Sequence, residues 1–320
     1  MKAIRINEFG PPEVMKLETV NELKPDKGQV LVEIKAAGVN PVETYIRAGM
    51  YARKPNLPYT PGGDAAGIVL AVGSEVAAFK AGDRVYTAGS ISGTYAEAAL
   101  CAETQVHPLP ANVSYNQGAA LGIPYATAYR ALFQRAYALQ GETVLVHGAS
   151  GGVGIAGIQL ALAADLTIIA SAGTEKGKTL IMEQGSNHVL DHADAGHYEK
   201  IMMLTKGRGV DVILEMLANV NLAQDLNILA LKGRVVVIGS RGNIELDPRQ
   251  LMVHEANVMG MLLFNAGDDD LKAIHEGLAA GLIKGTLKPV IGKEFPLKDA
   301  PQAHKVVMAA GAYGKIVLIP

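Results

Sequence analysis

Residues 143 to 164 constrain the fold more than any other part of the chain. A β-branched and apolar strand, Thr143-Val144-Leu145-Val146-His147, with Val144 to Val146 its apolar centre, passes through Gly148-Ala149-Ser150-Gly151-Gly152-Val153-Gly154 and continues into helix formers as far as Ala164. A strand without polar alternation is buried on both faces. A glycine-rich turn that leads from it straight into a helix is the βα step of a parallel sheet. The chain repeats the step. Strands are expected at Thr143–His147, Leu166–Ser171, His188–Leu190, Val210–Met216, Arg234–Ile238 and Val258–Phe264. Helices are expected between them at Val153–Ala164, Lys176–Gln184, Tyr198–Leu204 and Leu222–Leu229, so this part is an α/β, doubly wound parallel sheet.

The preceding third has a different texture. Short β-compatible runs at Val30–Lys35, Ala66–Val72, Asp83–Thr87 and Tyr95–Leu100 are separated by Pro and Gly, among them Pro61-Gly62-Gly63. Residues Ala119 to Leu139 suit a long helix interrupted at Gly122 to Pro124, and the tail offers a helix at Asp269–Ala280 and a strand at Lys315–Ile319. With 320 residues and 49% apolar content, the chain has material for two cored domains.

The glycine turn has two chemical readings. In a dinucleotide site it passes close to a pyrophosphate, and the following helix supplies free N–H donors and positive partial charge. Ala149 stands where the first glycine of G-x-G-x-x-G belongs, so the pattern is A-x-G-x-x-G. Gly148-Ala149-Ser150-Gly151-Gly152 also satisfies G-x-S-x-G, the nucleophile elbow of a serine hydrolase, with Ser150 as nucleophile. That reading explains neither Gly154 nor the large β-rich segment ahead of the turn. At the tip of the second strand, Ser171-Ala172-Gly173 is small and neutral where an NAD site usually carries a carboxylate. Lys176 and Lys178 follow within reach of a 2′-phosphate, so NADPH is the expected cofactor.

Several ordered blocks carry a resemblance: Gly38-Val39-Asn40-Pro41-Val42-Glu43-Thr44-Tyr45-Ile46-Arg47, Leu57-Pro58-Tyr59-Thr60-Pro61-Gly62, the glycine turn, Glu215-Met216-Leu217-Ala218-Asn219-Val220-Asn221-Leu222 and Gly239-Ser240-Arg241-Gly242. Nearly end to end, the chain resembles the zeta-crystallin family of zinc-free NADPH:quinone oxidoreductases, in the medium-chain dehydrogenase/reductase superfamily. The resemblance implies a GroES-like catalytic domain of residues 1–119, completed by 265–320, around a Rossmann domain of residues 120–264, with the cofactor in the cleft. It implies Tyr45 beside the nicotinamide, and Ser150, Gly151, Gly152 and Val153 on the pyrophosphate. Gly173 and His192 would lie along the adenosine, while Asn221, Ile238, Gly239, Ser240, Arg241, Met261, Leu262 and Leu263 would follow the cofactor across the sheet edge. Ile238, Met261 and Leu263 are expected to be buried and to reach it through their backbone.

Zinc-dependent relatives carry a cysteine soon after the Gly38-Val39 position and Gly-His-Glu near Gly62. Here Asn40-Pro41 and Gly63-Asp64 stand instead, and the only cysteine is Cys101, so no zinc site is expected. A quinone is already electron-poor, so its reduction needs positioning and a hydrogen bond to a carbonyl more than a Lewis acid. Asn40 and Tyr45 are the candidate donors, and Tyr51 and Tyr59 candidate walls for a flat ring, with core packing the alternative for Tyr59. An activated alkene is the alternative substrate. A homodimer or homotetramer, a structural crystallin-like role and RNA binding are implied by the family alone. A net charge of −2 provides no long-range field for nucleic acid or an anionic membrane. No apolar run reaches the ~20 residues of a spanning helix, and Met1 to Glu8 reads as a strand rather than a signal, so the cytoplasm is expected.

Overall fold

The computed structural model describes all residues from Met1 to Pro320 and divides into two compact units. The first comprises residues 1–123, 288–310 and 314–320, and the second residues 124–287 and 311–313.

In the first unit, the hairpin of Lys2–Ile6 and Met15–Thr19 stands beside a larger, mostly antiparallel sheet. The centre of that sheet is Gln29–Val39, which pairs with Asp64–Val72, Ala98–Ala102 and Lys315–Ile319. Its burial alternates over Gln29 to Lys35 and then becomes continuous through Val39, where both faces are covered. Two register shifts against Asp64–Val72 bend the strand around a core containing Val30, Val32, Ile34, Val69, Tyr95 and Leu318. Gly67 permits the close strand approach, since a Cβ there would stand 1.7 Å from the Glu33 carbonyl oxygen. The expected strand at Tyr95–Leu100 is shifted to Ala98–Ala102. A helix that the sequence reading lacks, Pro41–Arg47, follows the central strand. Proline occupies its first turn, and the Glu43 carboxylate accepts from the Asn40 backbone N–H at 2.9 Å.

The second unit contains six parallel strands in the order His188–Asp191, Thr167–Ala172, Thr143–Val146, Val210–Glu215, Leu229–Val237, Asn257–Gly260. In chain order this is 3-2-1-4-5-6, the doubly wound arrangement. Val144, Leu145 and Val146 are fully buried, as are Val212, Ile213 and Leu214, in keeping with a sheet covered on both faces. The fifth strand begins at Leu229, earlier than expected, and Lys232 with φ +63° marks its irregular register. The sixth ends at Gly260, short of the expected Phe264, because residues 263–265 form a 3-10 turn.

Two differences from the sequence reading have a clear physical basis. The expected interruption at Gly122 to Pro124 is a helix start, because the helix spans Gly122–Tyr129 and a proline in the first turn forfeits no intrahelical bond. Further on, the backbone widens into a π turn over Arg130–Arg135, where the Ala136 N–H reaches the Ala131 carbonyl. The second unit also continues past residue 264 to Leu287. Its helix Asp268–Lys284 packs on this segment through the Arg130–Asp270 ion pair at 2.5 Å and through Gly277, where a Cβ would stand 2.5 Å from the Tyr129 ring. Gly277→Val is expected to cost about 1–3 kcal/mol by overpacking. The check is a lower urea midpoint at unchanged m-value.

Candidate functional site

In the second unit, residues attributed to the cofactor follow the carboxyl end of every strand. Gly148 to Val153 follow Val146, Gly173 and Lys176 follow Ala172, and His192 follows Asp191. Asn221 lies beyond Glu215, Ile238 to Arg241 follow Val237, and Met261 to Leu263 follow Gly260. This edge, beyond the strand ends, is where doubly wound sheets take ligands.

The turn is set by its glycines. Gly148 has φ +56°, and its carbonyl accepts from Gly151 N at 3.2 Å. The first main-chain bond of the helix Gly152–Ala163 runs from Ile155 N to Gly151 O, so the amides of Gly152, Val153 and Gly154 precede any intrahelical acceptor. Three unclaimed donors and the helix dipole suit a diphosphate. Gly154 secures helix–turn packing, as a Cβ would stand 2.4 Å from Ala149 Cα. Ala149 itself is fully buried, and its N–H is tied to the Ser171 carbonyl at 2.8 Å. Ser150 donates its hydroxyl to the Ala312 carbonyl at 2.6 Å. The nearest histidine in sequence, His147, is bonded instead to Asp225 at 2.8 Å. The proton a nucleophilic serine must surrender is thus committed to the backbone, and the hydrolase reading of Ser150 is set aside.

At the second strand tip, the His192 ring lies over Gly173, whose Cβ, if present, would stand 2.4 Å from Nε2. The two lysines differ. Lys178 bridges Glu175 at 2.6 Å and Asp191 at 3.0 Å, so its charge is already balanced. This corrects the expectation that it is available to a phosphate. It also occupies Glu175, which is thereby held away from the role of a ribose acceptor. Lys176 is exposed, with its ammonium 4.0 Å from the centroid of the Tyr313 ring. That cation remains available, braced by an aromatic face. Across the sheet, Ile238 and Leu263 are only half-buried, and Leu262 is exposed, so of the three expected core side chains only Met261 is buried. The Asn219 side chain, overlooked in the sequence, accepts from Arg241 N at 2.8 Å and fixes the 238–241 segment.

The first unit places Tyr45 on the helix Pro41–Arg47 and Tyr51 just beyond it, both half-buried. Burial raises the Tyr51 phenol, against the pull of Arg53. Asn40 does not have the role expected of it. It is 2% exposed, its Nδ2 donates to Asp64 Oδ2 at 2.9 Å, and its Oδ1 accepts from the Lys315 ammonium. An amide engaged on both sides inside the protein is no free donor for a substrate carbonyl.

Asn40 belongs instead to a buried charge cluster. Lys315 and Asp64, 4% and 0% exposed, pair at 3.2 Å, and Asp64 Oδ1 accepts from Ile123 N at 2.9 Å. Glu43 accepts from the Tyr95 hydroxyl at 2.6 Å, and that oxygen lies 3.1 Å from His304 Nε2. One ammonium balances one carboxylate, so Glu43 is left over, and burial pushes it up to about 7. Burial likewise pushes His304 down to about 3. Zinc does not fit these residues. The donors are an amide and a carboxylate already held by an ammonium, which would repel an arriving dication.

Two family models match the chain: the alcohol dehydrogenase GroES-like domain over residues 26–111, and the zinc-binding dehydrogenase over residues 152–279. Among curated proteins, the quinone oxidoreductase of Rattus norvegicus is 51% identical over 321 residues, covering all of this chain and 98% of its own length. Among solved structures, Escherichia coli quinone oxidoreductase complexed with NADPH is 30% identical with a TM-score of 0.90, and each chain covers the other completely. A mycobacterial protein complexed with NADPH is 28% identical with a TM-score of 0.91, again over the whole of both chains.

Lys315→Met leaves the buried Asp64 charge without its counter-ion and Asn40 Oδ1 without its donor, and is expected to destabilise by about 3–5 kcal/mol. Asp64→Asn added to it removes the stranded charge and restores part of the loss. Chemical denaturation of the wild type, the single variant and the double variant reads both effects.

Proposed function

The chain belongs to the quinone oxidoreductase family of the medium-chain dehydrogenases/reductases, and from that membership we propose a cytoplasmic, homo-oligomeric enzyme that reduces a quinone with NADPH. The observation that carries the reading is the alignment of cofactor-type residues at all six strand ends of the parallel sheet. NADPH, when bound, supplies the reducing equivalents. Everything else is the work of side chains and backbone.

Gly152, Val153 and Gly154 would hold the diphosphate through their main-chain amides at the helix start, with Ser150 and Gly151 shaping the turn beside it. Ser150 contributes rigidity, since its hydroxyl ties the turn to Ala312. Lys176 meets the 2′-phosphate, and Tyr313 keeps that long side chain from sampling other rotamers. Gly173, with no Cβ, lets the His192 ring lie against it, and that ring would flank the adenosine. Asn221 and the 238–241 segment line the remainder. In the first unit, Tyr45 is the donor to the quinone oxygen, and Tyr51 supplies apolar ring surface. The buried Asn40–Asp64–Lys315 cluster anchors the start of the Tyr45 helix, so its part is to position that phenol. No acid group is required to hold a proton at the ring, because the reduced quinone can be protonated by solvent.

Self-association has its own support in the second unit. Asn257–Gly260 is an edge strand, and Val258, Leu262 and Phe264 are 37%, 46% and 44% exposed around it. An open edge of this composition calls for a cover. No helix is long and apolar enough to cross a membrane.

The deciding experiment is steady-state turnover with an ortho-quinone and an enone, alongside fluorescence titration with NADPH and NADH. Quinone turnover with NADPH bound markedly more tightly than NADH is the expected result, whereas equal affinity overturns the cofactor assignment. Lys176→Ala is expected to weaken NADPH about tenfold or more, the scale of one hydrogen bond to a charged group, with NADH unchanged. Lys178→Ala should leave the NADPH-to-NADH ratio unaltered.

A further inference from the structure

The second unit buries three ionisable groups against one another behind the cofactor edge. His147 precedes the glycine turn, Glu215 ends the fourth strand, and Asp225 ends the helix Ala218–Asp225. One ligand-type atom from each lies within 4.8 Å of those of the other two, and the side chains are 3%, 0% and 0% exposed. His147 Nε2 is 2.8 Å from Asp225 Oδ1 and 3.6 Å from Glu215 Oε2. Glu215 Oε1 accepts from Leu217 N and, at 3.2 Å, from Asn221 Nδ2. Glu215 Oε2 and Asp225 Oδ2 are buried without a partner. The other groups facing the cluster are the Ser171 hydroxyl, 3.5 Å from His147 Nδ1, the Tyr198 phenol and the His192 ring.

A cation and a proton are the two ways to satisfy such a cluster. Tetrahedral zinc ligands, each ~2.0–2.1 Å from the metal, stand ~3.4 Å from one another. The 2.8 Å separation of His147 and Asp225 is instead that of a hydrogen bond. Two orphaned oxygens in adjoining carboxyl groups repel as acceptors, and one proton shared between the groups turns one of them into a donor. Burial also raises both carboxyl groups and lowers the imidazole, so the cluster favours a neutral Glu215 and a neutral His147 beside one negative charge.

We propose that Glu215 and Asp225 share a single proton, and that protonated Glu215 is a positioning residue for the cofactor edge, fixing Leu217 and Asn221 through its other oxygen. The second half rests on the reading of Asn221 as a cofactor residue. The proton is held in the fold and lost on unfolding, because an unfolded glutamate titrates near ~4.3. Stability conferred by it is therefore present at low pH and falls as pH rises toward the raised native value.

The test compares the full-length wild type with Glu215→Gln and Glu215→Ala. Glutamine keeps an acceptor for Leu217 and Asn221 and replaces the shared proton with a fixed N–H. Between about pH 5.5 and 7, the unfolding constant of the wild type should rise about tenfold more per pH unit than that of Glu215→Gln, the signature of one proton released. Equal slopes overturn the shared proton, as does one equivalent of zinc retained after chelation. For positioning, Glu215→Ala should raise the KM for NADPH about tenfold or more, with kcat altered less, and Glu215→Gln should restore it, since each lost hydrogen bond is worth ~1 kcal/mol. A Glu215→Gln variant as impaired as Glu215→Ala, or no change in either, overturns the positioning role. Should Glu215→Ala fail to fold, KM and the unfolding slope of Glu215→Gln decide. The slope is measured without nucleotide, so absence of NADPH binding in the wild type overturns the functional reading and the positioning role while the shared proton is judged separately.

Discussion

Parallel pairing makes each strand of the six-stranded sheet finish at the same edge. That constraint follows from the crossover helices, which return the chain to the opposite edge before each new strand. It gathers loop residues scattered from Gly148 to Leu263 into one rim without any of them having to attract another. The glycine turn then needs only to present unclaimed amides there, and Ala149 shows how little the consensus matters. A methyl group is fully buried at the position expected to be glycine, while the packing that does demand glycine falls at Gly154.

The two units stabilise their interiors by different means. The second is mostly aliphatic around its sheet, with one ionisable cluster placed directly behind the turn. The first encloses an ammonium, two carboxyl groups, a phenol and an imidazole in a continuous hydrogen-bonded set. Such sets add little net stability relative to an apolar core, but they define one geometry, since every alternative strands a charge. Precision of that kind is what the start of the Tyr45 helix requires.

The parallel sheet was legible in the sequence because its strands are apolar runs of β-branched residues broken by helix formers, and burial on both faces leaves no other use for such runs. Boundaries slipped where backbone chemistry is local, at Lys232 and after Gly260. The helix Pro41–Arg47 was missed because seven residues carry too little periodicity, and its start depends on Glu43 reaching back to Asn40. The buried clusters were invisible for another reason. Lys315 lies 275 residues from Asn40 and 251 from Asp64, and no spacing rule spans such separations. Lys176 and Lys178 looked alike in sequence, and only the carboxylates around Lys178 separate them.

The stacking of Lys176 on Tyr313 has an optical consequence. The chain contains 11 tyrosines and no tryptophan, so its intrinsic ultraviolet emission comes from phenols alone. One of those phenols, Tyr313, lies directly beneath Lys176, the cation proposed to meet the coenzyme phosphate. Movement of that ammonium toward an anion would alter the field over the ring, so Tyr313 would be an intrinsic reporter of the proposed site, read among the other phenols without an indole background.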